Sequence, residues 1–270
     1  EEAKKKNLKV GVGLQRHHQI GYIETIKRLH DGAIGDILAA RCYWNDGGVW
    51  VKERQPNQTE MEYQMRNWYY FVWIGGDHIV EQHIHNLDVI NWVKNDFPIR
   101  CHGIGGRQVR TGKQYGEIFD HHAVEFEYAD GSRCFSQCQH TRGTWSSVSE
   151  HVIGSKGLCD VGGFRITGPN AWQWKQRNNP NPYQVEHDDL FDAIRNDKPY
   201  NEAVRGAMST LTAIMGRDAT YSGKLIERDA VLNSPIERRP SAYTWDATPP
   251  SLPDKDGFYP VAIPGTTIVV

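Results

Sequence analysis

From about residue 99 to 168 the chain reads as a succession of strands, and this block limits the fold more than any other stretch. DHHAVEFEY (120–128) and SRCFSQCQHT (132–141) flank Ala129-Asp130-Gly131, a hairpin signal. SSVSEHVIGSKGLCDVGGFRITG (146–168) supplies two or three further strands that turn between Gly154 and Gly157. DILAARCYWN (36–45) reads as another, and short turns between strands force antiparallel neighbours. The expectation is a mostly antiparallel sheet. The glycine cluster GIGGRQ (103–108) opens no helix, so it reads as a bulge or turn rather than a phosphate site.

Helical periods flank the strands. IGYIETIKRLHDGAIG (20–35) places Ile20, Ile23, Ile26 and Leu29 or Ala33 on one stripe and stops near Asp31-Gly32. YQVEHDDLFDAIRND (183–197) reads as a helix with Leu190, Phe191 and Ile194 inward. Residues 202–224 form a second helix rich in small side chains, and ERDAVLNS a short third. Residues 46–62 read as a long loop, 169–183 as a polar, proline-rich one, and the stretch from Pro249 as an extended tail over the domain or a neighbour.

The 270 residues carry a net charge of −2, which leaves no electrostatic footprint for nucleic acid or an anionic membrane. No apolar run reaches spanning length. Cys42, Cys101, Cys134, Cys138 and Cys159 are scattered, form no zinc framework, and are expected as reduced thiols. Residues 1–7 read as the end of a charged helix and LKVGVGL (8–14) as a short buried strand. Gly11 and Gly13 lack a third glycine and are followed by QRHHQ, so a dinucleotide fingerprint is rejected.

GGDHIVEQHIHNLDVINWV (75–93) is the stretch that carries chemistry. On a continuous helix, Val80, Ile84, Leu87 and Ile90 make one apolar stripe. Glu81, His85 and Asp88 make a second beside it, extended by His78 and Trp92. Such a helix either wets its polar face or arms a cleft with an acid, an imidazole and a second acid. The glycine pair and the aromatic run RNWYYFVW (66–73) beside it favour the cleft. Metal binding by His78, Glu81, His83 and His85 is not expected, because His83 would point away from His85 by about 200°. His121 and His122 are adjacent on a strand and so face opposite ways.

Several segments together resemble the Gfo/Idh/MocA oxidoreductases, the group of glucose–fructose oxidoreductase and inositol dehydrogenase. LKVGVGLQRHHQIGYIETIKRLHDGAIGDI is similar to that family's crossover out of its Rossmann domain, and GGDHIVEQHIHNLDVINW to its active-site helix. EHVIGSKG resembles its strand-turn segment, and HDDLFDAIRNDKPYNEAVRGAMSTLTAIMGRDATYSGK its last helices. The resemblance implies an α+β domain: a large open, mostly antiparallel sheet with helices on one face, often used for homo-oligomer contact. It implies NAD or NADP as cofactor and a sugar, polyol or related carbonyl compound as substrate. The subgroup is bacterial and often exported, which favours the periplasm.

Carried over by position, His85 matches the residue that moves the hydroxyl proton, and Asp88 matches an acid that binds substrate hydroxyls. Glu81 stands where the family has aspartate, and would orient His85 or bind a hydroxyl. Arg16 matches a position at the nicotinamide end of the cleft, serving substrate or cofactor. Arg66, Asn67, Trp68 and His187 are further candidates for substrate contact, with Tyr69 or Trp44 against a ring face or else in the core. The family's Gly-x-Gly-x-x-Gly turn and Glu-Lys-Pro segment have no match. The expected organisation is therefore 1–15 as the end of a Rossmann domain, 16–248 as a substrate and assembly domain, and 249–270 as a tail. A redox-neutral glycosidase with tightly held NAD, and a non-catalytic sugar-binding or assembly module, are the alternatives.

Overall fold

The computed structural model describes residues 1–175 and 179–270. Its centre is one sheet of nine strands, in spatial order β8-β7-β6-β5-β1-β4-β3-β2-β9. The strands are β1 (Ile37–Asp46), β2 (Arg100–Gly106), β3 (His121–Glu127), β4 (Arg133–His140), β5 (Ser147–Gly154), β6 (Leu158–Asp160), β7 (Arg165–Thr167), β8 (Trp172–Gln173) and β9 (Ile226–Glu227). All neighbours run antiparallel except β1 and β4, which pair in parallel. The hairpin at 129–131 and the turn at 154–157 form as expected.

Alternation along β3 and β4 sets the two faces. His122, Val124 and Phe126, then Cys134, Ser136, Cys138 and His140, point to the buried face. The opposite face stays open, with Phe135 of β4 at 45% and Ile104 of β2 at 78% exposure. The helices are α1 (Ile20–His30), α2 (Glu60–Arg66), α3 (His78–Glu81), α4 (Ile84–Lys94), α5 (Pro182–Arg195), α6 (Ala203–Ser222) and α7 (Arg228–Leu232), with several single turns between them; α3, α4, α6 and α7 touch the strands directly. The architecture is the α+β fold expected, an open sheet with helices on one side. No helix among the described residues is long and apolar enough to cross a membrane. All five cysteines are buried and unbridged.

Several local expectations are corrected. LKVGVGL is no buried strand: Val10 makes one bridge to Asn201, and Leu8 is 55% exposed. In α1 the inward face is Tyr22, Thr25, Ile26 and Leu29, while Ile23 faces out. In α5 only Ala193 is fully buried; Phe191 and Ile194 are about half exposed because the helix lies across the turn at 15–18 rather than on the sheet. GIGGRQ is no bulge: its glycines lie in regular strand β2 beneath α6. The loop at 46–62 closes into α2, capped by Thr59 and Glu62 in a reciprocal box. The polar stretch 169–183 contains β8 and the start of α5, and residues 176–178 in it lie outside the described residues. The tail packs over the domain: Tyr259 joins a second apolar cluster with Tyr63, Tyr70, Phe71 and Ile118, and Ser251 accepts a hydrogen bond from Gln64 at 2.7 Å.

Two glycines of β2 explain the close approach of α6. A Cβ on Gly103 would stand 2.6 Å from the Ala123 carbonyl oxygen and 3.1 Å from Thr220; one on Gly105 would stand 2.7 Å from the His121 carbonyl oxygen. Backbone cannot yield as a flexible side chain can. Gly103→Ala is therefore expected to destabilise the protein by about 1–3 kcal/mol, read as a lower urea midpoint with an unchanged slope.

Candidate active site

The segment from 75 to 93 is not one helix. Asp77 caps the short helix α3 from a backbone with φ of 79°, and the chain then breaks at Gln82 and His83 before α4 begins. The break has a polar cause. Gln82 Oε1 accepts from Tyr69 Oη at 2.8 Å and lies 2.9 Å from His140 Nε2. His83, buried, lies 2.7 Å from Ser136 Oγ through Nε2 and 3.7 Å from Cys42 Sγ. Both side chains are drawn onto the sheet. The backbone N–H groups of Gln82 and His83 then share the His78 carbonyl, at 3.2 and 3.1 Å.

The break corrects the expected stripe. His78 is buried rather than part of an open polar row, and Glu81 and His85 belong to different helices. Glu81 does not orient His85: His85 Nδ1 is buried without a hydrogen-bond partner, and so is Glu81 Oε2. Burial, partly offset by the nearby Tyr69 hydroxyl and His78, raises the Glu81 carboxyl above its ordinary range.

His85 sits in the first turn of α4, half-buried, its ring 6.1 Å from that of Trp44 with 31° between planes. The Trp44 Nε1 is likewise buried and unpartnered. Burial first, and then the Arg16 guanidinium, bring the imidazole down from 6.5 to about 4 against the opposing pull of Asp88. At neutral pH this is an uncharged base beside an indole ring.

Arg16 is itself buried. Its guanidinium donates to the Glu150 carboxylate and lies over the Tyr22 ring at 5.6 Å. Glu150 also accepts from Tyr22 Oη at 3.0 Å and from the Asn86 amide. Asp88, expected to bind substrate, is 1% exposed and fully engaged: Oδ2 lies 2.7 Å from His17 Nε2, and Oδ1 accepts from Ser209 Oγ at 2.7 Å. His17 stacks on Trp92 at 4.0 Å, so Asp88 fixes that ring, at the edge of a hollow lined by His17, Asn91 and Trp92.

The remaining candidates scatter. Asn67 is buried and spends its amide on Lys52 N, Tyr63 Oη and the Gln114 carbonyl, so it braces loops rather than contacting a ligand. Arg66 is exposed at the end of α2. Trp68 packs edge-on to Trp50 at 5.6 Å, and Tyr69 stacks on His140 at 5.6 Å. His187 lies elsewhere, on exposed α5, lining a hollow with Gly11, Gly13, Glu186, Tyr200 and Glu202. Sequence reasoning missed Glu150, Asn86 and Gln82. For Glu150 a signal existed: it shares its strand face with Val152, and a charge at a core position of a strand calls for partners.

The donors at Gly11-x-Gly13 do not fit a dinucleotide. The Val12 N–H already donates to Glu202 at 2.8 Å, Gly11 backs onto Leu190, and a single turn at 15–18 separates the glycines from α1. This stretch offers an acid where a pyrophosphate needs backbone donors.

Comparison with known proteins agrees with the fold. The model of the GFO/IDH/MocA C-terminal domain matches residues 22–159. A search of curated sequences finds no match. Among solved structures, an aldose–aldose oxidoreductase from Caulobacter crescentus complexed with glycerol aligns over 83% of this chain and 65% of its own, with 18% identity and a TM-score of 0.64. A myo-inositol 2-dehydrogenase from Lactobacillus plantarum aligns over 84% and 67%, with 18% identity and a TM-score of 0.61. A levoglucosan dehydrogenase in complex with NADH and levoglucosan aligns over 83% and 67%, with 14% identity and a TM-score of 0.61. The chain thus spans just under two thirds of the length of the first of these.

The depressed His85 imidazole has a sign that can be checked. The unfolded chain binds its proton below about 6.5 and the folded chain only near 4, so His85 adds stability at neutral pH that is lost as the pH falls from about 6.5 to 4. An NMR titration of the His85 ring should show a midpoint near 4, and His85→Gln should flatten the acid limb of the stability profile. A midpoint at or above 6.5 contradicts the buried-base arrangement.

Proposed function

The chain belongs to the GFO/IDH/MocA family, and on that premise we propose that it is the substrate-binding and proton-transferring part of an NAD(P)-dependent oxidoreductase acting on a sugar, a polyol or a related carbonyl compound. Residues 16–248 are then its substrate and assembly domain, with 1–15 joining it to a dinucleotide-binding part and 249–270 as a tail; the open sheet face is its homo-oligomer contact. The relatives' greater length and the sugar-type ligands named with two of them support this reading.

The observation that carries it is His85: a neutral, unpartnered imidazole beside Trp44 and under the field of Arg16. Oxidising a secondary alcohol requires a base for the hydroxyl proton while hydride leaves carbon. His85 takes that proton. Arg16, anchored by Glu150, disfavours the imidazolium and returns the proton readily, which suits the reverse reduction as well. Trp44, half-buried, offers part of its indole face to a sugar ring. A nicotinamide, when bound, would exchange the hydride; the residues described here supply the proton half.

One feature favours a second reading. Glu81 is a carboxyl raised by burial, with a free oxygen, and such a group can protonate a leaving oxygen. The glycosidase alternative uses it. Product analysis separates the two: net NADH accumulates with the dehydrogenase and not with the redox-neutral enzyme.

In the full-length enzyme, His85→Gln is expected to lower kcat on a panel of sugars and polyols by roughly 10²–10⁴-fold, with KM within about threefold. An unchanged kcat removes His85 from the chemistry.

A further inference from the structure

A second group of polar side chains lies wholly inside the fold, at the start of α3. Asp77, His78 and His122 are each 0–2% exposed, and one ligand atom from each falls within 4.8 Å of the others. Asp77 Oδ2 is spoken for: it accepts from Tyr221 Oη at 2.5 Å and from the Phe119 N–H at 3.0 Å. Asp77 Oδ1 accepts the His78 backbone N–H and faces His78 Nδ1 at 2.8 Å and His122 Nε2 at 3.4 Å.

The hydrogen-bond directions make this arrangement informative. The Thr220 hydroxyl donates to the Arg217 carbonyl, so it can only accept from His122 Nδ1, 2.8 Å away. The Nδ1 of His122 therefore carries the proton, and in the neutral ring Nε2 turns a lone pair toward the Asp77 carboxylate. Neither ring nitrogen of His78 has a hydrogen bond of acceptable geometry, and His122 Nε2 has none. Two buried imidazole nitrogens, His78 Nδ1 and His122 Nε2, thus face one carboxylate oxygen without a well-formed hydrogen bond, where each such group costs free energy if nothing meets it. Asp77 reaches this position through a positive φ of 79°, a strained backbone for a residue with a side chain.

We propose that Asp77 Oδ1, His78 Nδ1 and His122 Nε2 bind a divalent first-row transition ion, with zinc as its probe. Two imidazoles and a carboxylate are a set that zinc and iron(II) take. One outer nitrogen is placed as a metal-bound imidazole requires: His122 Nδ1–H donates to Thr220. The ion would clamp the start of α3 to β3, fixing the segment that leads into Glu81 and His85. The reading considered from sequence looked for ligands along one helix; this set comes from a helix start and a strand that pair only in the fold. It stands independently of the reaction proposed above.

The test needs no catalysis. Protein purified without a metal-affinity step is assayed by elemental analysis, then unfolded in denaturant with a chelator and refolded with or without zinc. About one transition ion per chain is expected, with a Tm at least about 5 °C lower after metal-free refolding. His122→Gln and Asp77→Asn should lose the ion. Should those variants not fold, wild-type protein refolded with cobalt(II) decides: visible ligand-field absorption from a nitrogen–oxygen site is expected. Metal below about one tenth of an ion per chain with an unchanged Tm overturns the proposal. So does full metal retention in a folded His122→Gln, or the absence of cobalt absorption.

Discussion

The carboxylate of Glu150 lies on the covered face of β5, and three side chains from three other elements converge on it: Arg16 from the turn at 15–18, Tyr22 from α1 and Asn86 from α4. Burial alone pushes this acid toward its neutral form, and those three contacts oppose it. Removing one partner of such a buried pair costs about 3–5 kcal/mol, because the other charge is left without compensation. The N-terminal turn, α1 and α4 are thus tied to the sheet through one group. The position of Arg16 follows from this tie, and so does the field that Arg16 exerts on His85. Beyond burial, the candidate base is tuned by Arg16, which Glu150 on β5 holds in place.

The break between α3 and α4 has the same logic. An unbroken helix would satisfy its own backbone, yet Gln82 and His83 leave the helical path to reach Tyr69, His140 and Ser136. His140 is in turn reached by Arg110 at 3.1 Å, and burial and the charges around it drive its imidazole far below its ordinary range. The neutral ring can then accept from Arg110 at Nδ1 and donate to Gln82 at Nε2, which fixes its tautomer. The ordering of this chain of contacts places His85 at a helix start rather than mid-helix, with its ring turned to Trp44.

Much of the sheet was legible because strand alternation and turn chemistry are local: Ala129-Asp130-Gly131 and the 154–157 turn need no knowledge of the rest of the chain. The parallel pairing of β1 with β4 was not legible, since nothing local specifies which strand fills the gap between two hairpins. His85 was found by its place in a motif, but its isolation from Glu81 was not, because spacing on an ideal helix assumes that the helix continues. Asn67 and Asp88 look like ligand residues in sequence, and burial assigns both to bracing. Phe191 and Ile194 follow a helical period yet stay open, since period identifies a face and not what lies against it. Glu150 carried a signal in its core-facing position, but naming Arg16 and Tyr22 as its partners required contacts across 134 and 128 residues.

Polar anchoring of the 77–85 segment also bears on why it holds one conformation. Each net hydrogen bond there contributes only about 0.5–1.5 kcal/mol, whereas a buried donor or acceptor stripped of its partner costs about 1–3 kcal/mol. Apolar contacts tolerate a small slide of a helix along a sheet; a set of directional contacts does not. Shifting α3 by one residue would move Gln82 off Tyr69 and His140, His83 off Ser136, and Asp77 off Tyr221 and Phe119 together. Alternative registers are penalised several times over, so the location of His85 is specified by what those wrong registers would leave unpaired rather than by the area the segment buries.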